Sequence, residues 1–450
     1  MIRNETAMRS DPIGRLLWRF SVPAIVGLLI SALYNIVDRV FIGRGVGIEA
    51  LAAATVAFPI MMILGAMSVL ISIGATTLIS IRLGERRIED AERIAGTATT
   101  VLILVPVLLT VVYLVFAQPI LVLFGASPRV LPYAMDFTHI IMLGSVFGSI
   151  SFGMNNFIRA EGSPRFAMLT QVIGAVINGV LNYVFIFKLR MGIKGSALAT
   201  VLGQSISAAW VLSYFFTKRS AVRIRLRNLR PVPAVLFHIA ALGFAPFAMQ
   251  IMGSFVQLIL NKTLKVYGGD MGISAVGIIM SIAILAFMPV IGISQGAQPL
   301  IGYNYGARQY RRVRETLRIS VIAGTLVVLT GYLAMRLWPG AIVGLFTRDI
   351  ALRNMASHAL LVFFTFMPIM AFQVICSGYF QAVSKPLQAT LLGLSRQLLI
   401  FMPLLLILPR FWGIDGVWRT APIADVLSAI VTGVFIHLEM KRLPADEASN

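Results

Sequence analysis

Leu78-Ile79-Ser80-Ile81-Arg82-Leu83-Gly84 and, in the second half of the chain, Leu300-Ile301-Gly302-Tyr303-Asn304-Tyr305-Gly306 agree at their first two residues and their last. Each stretch closes a long apolar run, and arginines follow at once: Arg86 and Arg87 in the first case, Arg308, Arg311 and Arg312 in the second. About 20 mostly apolar residues, at ~1.5 Å rise each, cross a bilayer as a helix. The paired stretches therefore read as the same helix end in two copies of one unit.

Other landmarks recur at nearly the same spacing. The step that takes Gly84 to Gly306 also carries Leu123-Phe124 onto Leu345-Phe346, Ala160 onto Ala382 and Pro164 onto Pro386. One position more takes Pro23 to Pro246 and Asp38 to Asn261; one fewer takes Gly192-Ile193-Lys194-Gly195 to Gly413-Ile414-Asp415-Gly416. Twelve apolar runs fit between the polar turns. Six lie near 15–43, 50–80, 93–117, 131–159, 166–187 and 195–217; six more lie near 235–264, 272–301, 315–337, 353–381, 387–408 and 415–439. The fold class is an all-α integral membrane protein, twelve transmembrane helices in two six-helix lobes related by pseudo-two-fold symmetry. Residues 1–217 form the N-terminal lobe, 218–233 a cytoplasmic linker and 234–450 the C-terminal lobe. An even number of helices per copy gives both copies one orientation, related by an axis along the membrane normal, as suits alternating access.

Composition agrees. The chain is 58% hydrophobic and 12% charged, with a mean hydropathy of +0.87, whereas soluble domains carry about a quarter charged residues. The N-terminal segment is polar, and the first apolar run is a full span rather than a cleavable signal. A net charge of +20 suggests nucleic acid in a soluble protein, but here the bases crowd into short loops between spans. With the N-terminus inside, about two-thirds of the 38 Lys and Arg fall on the cytoplasmic side, as the positive-inside rule requires. Both termini are thus expected in the cytoplasm, and the location is the cytoplasmic (inner) membrane. Trp338, Trp412 and Trp418 fall near outer helix ends, where indoles favour the interface. The one cysteine, Cys376, excludes an intrachain disulfide and reads as packing.

Charge inside a span costs about 2.5–3.5 kcal/mol at its centre, so each instance needs a reason. Asp38 lies in span 1, Asp136 near the outer start of span 4 and Asp425 in span 12. Asp38 would pair poorly with adjacent Arg39, about 100° away around the helix. Asn178 and Asn182 share a face of span 5 at i, i+4, as do Ser196, Thr200 and Gln204 on span 6. Such stripes either join helices or, with a carboxylate, hold a cation or a proton. The remaining Lys and Arg are read as clustering at loop ends, none lining a cavity. Gly292-Ile293-Ser294-Gln295-Gly296 matches a hydrolase nucleophile elbow, but that needs a strand-turn-helix corner and this lies in span 8. There is no Walker A stretch, and His139, His238, His358 and His437 lack metal-ligand spacing. The chain is not read as an enzyme.

The order of these features resembles the multidrug and toxic compound extrusion family. The resemblance rests on Arg19-Phe20-Ser21-Val22-Pro23-Ala24, on Tyr34-Asn35-Ile36-Val37-Asp38-Arg39-Val40-Phe41-Ile42-Gly43, on Arg159-Ala160-Glu161-Gly162-Ser163-Pro164 and on Asn178-Gly179-Val180-Leu181-Asn182. It implies a cation-coupled antiporter that exports hydrophobic, often cationic, compounds, needs no cofactor and is driven by H⁺ or Na⁺. The family's ion site maps onto Asp38, Asn178, Asn182 and Thr200, and any Na⁺ is expected there. Asn182 stands where prokaryotic members carry a carboxylate, which weakens the case for Na⁺. Tyr34, Gln250, Gln257, Asn261 and Gln295 are candidates for a substrate cavity also walled by Met and Phe. The expected partners are small amphipathic cations and the lipid bilayer, not nucleic acid, with a monomer as the working unit. The alternative is a lipid-linked-sugar flippase of the same broader superfamily.

Overall fold

The computed structural model describes residues 7–217 and 220–444. Among these residues, nine helices are long and apolar enough to cross a membrane, and two bent helix pairs add two more. One of the nine, Pro233–Gly306, has 74 residues. At ~1.5 Å per residue it would far exceed a ~30 Å hydrocarbon core. It breaks at Gly269, whose φ of 58° and ψ of −157° lie where only glycine sits without strain. Counted as spans 7 and 8, it completes the twelve.

Spans 1 to 3 are Ile13–Gly45, Ile48–Gly84 and Ile88–Leu123. Span 4 is Leu131–Leu143 with Ser145–Ala160, span 5 is Pro164–Asn182 continued by a π-helix over Tyr183–Lys188, and span 6 is Gly192–Phe216. In the second half, span 9 is Tyr310–Leu337 and span 10 is Ile350–Phe363 with Met367–Ala382. Span 11 is Pro386–Leu394, a π-helix over Ser395–Phe401 and Met402–Trp412; span 12 is Ile414–Arg442. Spans 4 and 10, expected as single runs, are each broken, by bends of 52° and 54°. No proline stands at the bend of span 4, whereas Pro368 sits at that of span 10, on the first turn of Met367–Ala382, where proline suits a helix start and not a helix interior. Hydropathy alone reads straight through both.

The backbone repeats as the sequence does. Most left-handed residues fall in matched pairs, Gly47 with Gly269, Arg86 with Arg308, Gly162 with Ser384 and Gly192 with Gly413, while Gly125 and Arg190 stand outside the pairing. Arg86 and Arg308 each close a helix in the same way, the next amide bonding back to a carbonyl five residues earlier: Arg87 N to Arg82 O and Gln309 N to Asn304 O. That closure is worth the ~1–2 kcal/mol of a left-handed non-glycine residue.

The described chain divides into two units. One holds Val26–Gly243 with the residues up to Asp11; the other holds Pro12–Ile25 with Phe244 onward. Spans 1 and 7 are thus each shared, and the divisions fall beside Pro23 and Pro246, which remove a backbone hydrogen bond and loosen the helix. In the first unit a Cβ on Gly74 would overlap the Ile239 carbonyl, and one on Gly243 the Leu70 carbonyl. In the second unit Gly296 lies against Ser21 and Gly292 against Ile25. The outer glycines of the apparent nucleophile elbow are therefore sites of close helix crossing, where small residues let backbones meet.

Each unit has its own apolar core, one including Ile42, Ala57, Tyr113 and Phe137, the other Leu260, Val313, Tyr379 and Trp418. Trp418 is 1% exposed, which corrects its placement at the interface; Trp338 and Trp412 are exposed. Span 12 turns the Trp418 side inward, so nearness to a helix end did not decide its environment. The segment between the halves is strapped to the first unit. Glu161 accepts from Ser220 Oγ and Ala221 N, each at 2.9 Å, and Glu92 pairs with Arg225 at 3.2 Å. Burial pushes the Glu161 carboxyl up to about 7 against the pull of those donors.

Candidate functional site

Spans 5 and 6 pack closely because glycines face each other across them. A Cβ at Gly203 would lie 3.1 Å from the Gly174 carbonyl oxygen and 3.2 Å from Asn178 Cβ. This sets Asn178 against Thr200, with Asn178 Nδ2 donating to Thr200 Oγ1 at 3.2 Å. Asn182 is the last α-helical residue before the π-helical turn, a widening often found at functional sites. Its Nδ2 donates to Asn178 Oδ1 and to Asp38 Oδ1, both at 2.9 Å. Ser196 Oγ donates to the same Asp38 oxygen at 2.9 Å. Tyr34, one turn before Asp38 on span 1, donates to Thr200 Oγ1 at 3.4 Å.

Asn178, Asn182, Ser196 and Thr200 are all buried, and Asp38 is partly so. The result is a continuous hydrogen-bonded chain across spans 1, 5 and 6 with a carboxylate at one end. It faces a cavity of the same unit, lined by Tyr34, Asn178 and Thr200 together with Ser151, Gly174, Gln204 and Ser207. Arg39 lies over the Phe58 ring, 5.6 Å from its centroid. Asn182 Oδ1 is buried with no partner, an acceptor left over by the bonds its amide nitrogen makes.

The structure brings Asp38, Asn178, Asn182, Thr200 and Tyr34 together. Gln250, Gln257, Asn261 and Gln295 lie along Pro233–Gly306 in the second unit, where Gln257 Nε2 donates to Asn261 Oδ1 at 2.9 Å. Ser196 touches Asp38 directly. The stripe on span 6 contained it, but only the geometry separates its role from that of Thr200. A Na⁺ ion here would draw on Asp38, Asn178 Oδ1, Asn182 Oδ1 and Thr200 Oγ1, one formal charge in all. Among the described residues no group of three or more His, Cys, Asp or Glu is placed to hold a metal.

One expectation is overturned. Arg396 lies mid-way along span 11, not at a loop end. It donates through Nε at 2.9 Å and Nη2 at 2.7 Å to Asp425 Oδ1 on span 12. The positive-inside pattern lies in the loops, so a lone mid-span arginine neutralised by an acid on another helix leaves no trace in it.

Two repeated helical lobes with a lone carboxylate among buried amides and hydroxyls define the architecture of a secondary transporter. The MatE family model matches residues 23–184 and again 246–407, two copies that open on the equivalent prolines Pro23 and Pro246. The chain belongs to the MatE family of multi-pass membrane transporters. It is similar to the multidrug export protein MepA of Staphylococcus aureus, 26% identical over 436 residues, covering 97% of this chain and 96% of that one. Its fold is that of a MATE protein crystallised in a bent conformation, TM-score 0.92, 24% identical, covering 98% of each chain. It is also that of a MOP-superfamily transporter of Pyrococcus furiosus with a binding pocket of reverse polarity, TM-score 0.90, 24% identical, again covering 98% of each chain.

Proposed function

We propose that this chain is a proton-coupled antiporter that exports amphipathic, often cationic, toxic compounds across the cytoplasmic membrane, with Asp38 carrying the coupling proton. The supporting observation is the Asp38 carboxylate at the head of a buried hydrogen-bonded chain, bonded by Asn182 and Ser196. Ionised, it attracts a cation into the cavity. Protonated, it loses that attraction and can donate to Asn182 Oδ1, the buried acceptor without a partner, once the amide turns. Substrate and proton then oppose each other, and the linkage is reciprocal.

Proton is preferred to Na⁺ because the site has one carboxylate. Na⁺ would have to lose its water for a single charge and neutral amide oxygens, at the depth of a span where desolvation is costly. Efflux of a fluorescent cationic dye from proteoliposomes, with H⁺ and Na⁺ gradients imposed separately, tests this. The H⁺ gradient should drive export and the Na⁺ gradient should not. Asn182→Asp supplies a second carboxylate and should make export respond to Na⁺. No response to Na⁺ in that variant would mean the span 5 amides only join helices.

The flippase reading gains one observation, the mid-span Arg396, since lipid-linked sugars carry phosphates. Asp425 neutralises that arginine at 2.7 Å, so the exporter reading stands. Dye retention under every gradient, with transbilayer movement of a lipid-linked sugar, would reverse the choice.

The orientation proposed has both termini in the cytoplasm. Reporter fusions after Arg87, Arg227 and Arg312 should read cytoplasmic, and one at Gly192 external. A cytoplasmic signal at Gly192 would contradict that arrangement.

A further inference from the structure

Residues that line the cavity of the first unit have equivalents in the second, and two of those equivalents carry charge. The step of the repeat that takes Gly84 to Gly306 also takes Ser151 to Gln373 and Gly174 to Arg396. The step that takes Gly192 to Gly413, and so relates spans 6 and 12, takes Gln204 to Asp425 and Ser207 to Ser428. All four first-unit residues line the cavity beside Asn178 and Thr200. Their four equivalents form one cluster. Arg396 bonds Asp425, and Ser428 Oγ donates to Gln373 Oε1 at 3.0 Å and to the Asp425 carbonyl at 3.1 Å. Where the first half has glycine and glutamine, the second has a guanidinium and a carboxylate.

Asp425 is 2% exposed, Ser428 1% and Gln373 6%, while the Arg396 side chain keeps 22% of its surface open. An ionised group within a span faces a bundle interior or a wet cavity rather than lipid. The pair is also incompletely used. The bonds between the two partners both end on Asp425 Oδ1, and Arg396 Nη2 also donates weakly to Met370 Sδ at 3.8 Å, whereas a carboxylate has two acceptor oxygens and a guanidinium five N–H donors. The π-helical segment Ser395–Phe401, which carries Arg396, is a further departure from regular helix.

We propose that the Arg396–Asp425 pair is a binding subsite for amphipathic zwitterions, molecules bearing both a cationic group and a carboxylate. The inference rests on the exporter reading for its place in transport. A zwitterion exchanges one buried ion pair for two, its carboxylate on Arg396 and its cationic group on Asp425, and no net charge is added. A simple cation would meet Arg396, and a simple anion Asp425, each bringing an uncompensated charge into a poorly hydrated site. Recognition of the carboxylate by the guanidinium is planar and bidentate, which lysine does not reproduce.

Equilibrium binding to the purified full-length protein, with no ion gradient, tests this using rhodamine B and its ethyl ester. The two share a cationic fluorophore, and only rhodamine B has a free carboxylate. The wild type should favour the free acid by about tenfold, the order of one charge-assisted bidentate contact. The neutral double variant Arg396→Gln with Asp425→Asn should bring the ratio to near one. Should that variant not fold, Arg396→Lys keeps the charge, loses the fork, and should still lower the preference several-fold. No preference in the wild type, or an unaltered preference in the folded variants, overturns the proposal. Failure of both dyes to move under any gradient in proteoliposomes would instead sink the exporter reading and leave the binding ratio as it is.

Discussion

Replacing Asp38 by Asn is expected to abolish gradient-driven export while leaving folded, inserted protein at wild-type levels. The substitution keeps the shape and keeps an oxygen where Asp38 Oδ1 accepts from Asn182 and Ser196, each at 2.9 Å. Neither donor is left unpaired, so the usual cost of breaking a buried network does not arise. Only the ability to gain and lose a proton disappears. Coupling free energies of ~1–3 kcal/mol correspond to roughly 5- to 150-fold in affinity, and the dye accumulation ratio should fall by a factor of that order. The readout is dye efflux from proteoliposomes under an imposed H⁺ gradient, beside thermal stability of the purified variant. Full export by Asp38→Asn would remove this carboxylate from the mechanism. Lost export together with lost stability would make Asp38 a structural residue.

Much of the fold was legible because it is written twice. Pro23 and Pro246, Gly84 and Gly306, and Pro164 and Pro386 punctuate both copies, and helix ends leave turn residues that composition cannot hide. Burial along a transmembrane helix is harder to read, since lipid-facing and core-facing residues are equally apolar. Trp418 shows this: it sits near a helix end like Trp412, yet one is 1% exposed and the other 48%. The bend in span 4 escaped because no proline marks it, while that in span 10 was signalled by Pro368, at the start of Met367–Ala382, a cue that an unbroken apolar run conceals.

The candidate site was legible where charge or spacing made it so. Asp38 is a carboxylate in a span, and Asn178 and Asn182 share a helix face, so each announces itself. Two further features depend on distances between helices. Ser196 reaches Asp38 from a different helix, and no pattern within span 6 distinguishes it from Thr200. Arg396 and Asp425 are 29 residues apart, and only the packing of span 11 on span 12 joins them. The repeat could have found them, since carrying the lining of the first-unit cavity across lands on both, Gly174 onto Arg396 by the step from Gly84 to Gly306 and Gln204 onto Asp425 by the step from Gly192 to Gly413.

The same repeat identifies where the structure tolerates least change. Gly243→Val is expected to leave little folded protein, with a stability loss among the largest of the glycines of the first unit. Its Cβ would overlap the carbonyl of Leu70, and the next two atoms it meets, at 2.6 and 2.9 Å, are also Leu70 backbone. Flexible side-chain ends can move aside, but here a whole helix must. Gly74 meets the Ile239 carbonyl across the same crossing, so spans 2 and 7 touch at two backbone points one helical turn apart. Overpacking a core typically costs about 1–3 kcal/mol, and occasionally more; a clash with backbone on both helices belongs at or above the top of that range. Gly179→Val is the control, because nothing lies within 4 Å of a Cβ built there. Thermal unfolding of detergent-purified protein should show a large drop for Gly243→Val and a small one for Gly179→Val, the latter from helix propensity alone. Equal stability of the two variants would mean that the span 2 and span 7 backbones do not meet at Gly243.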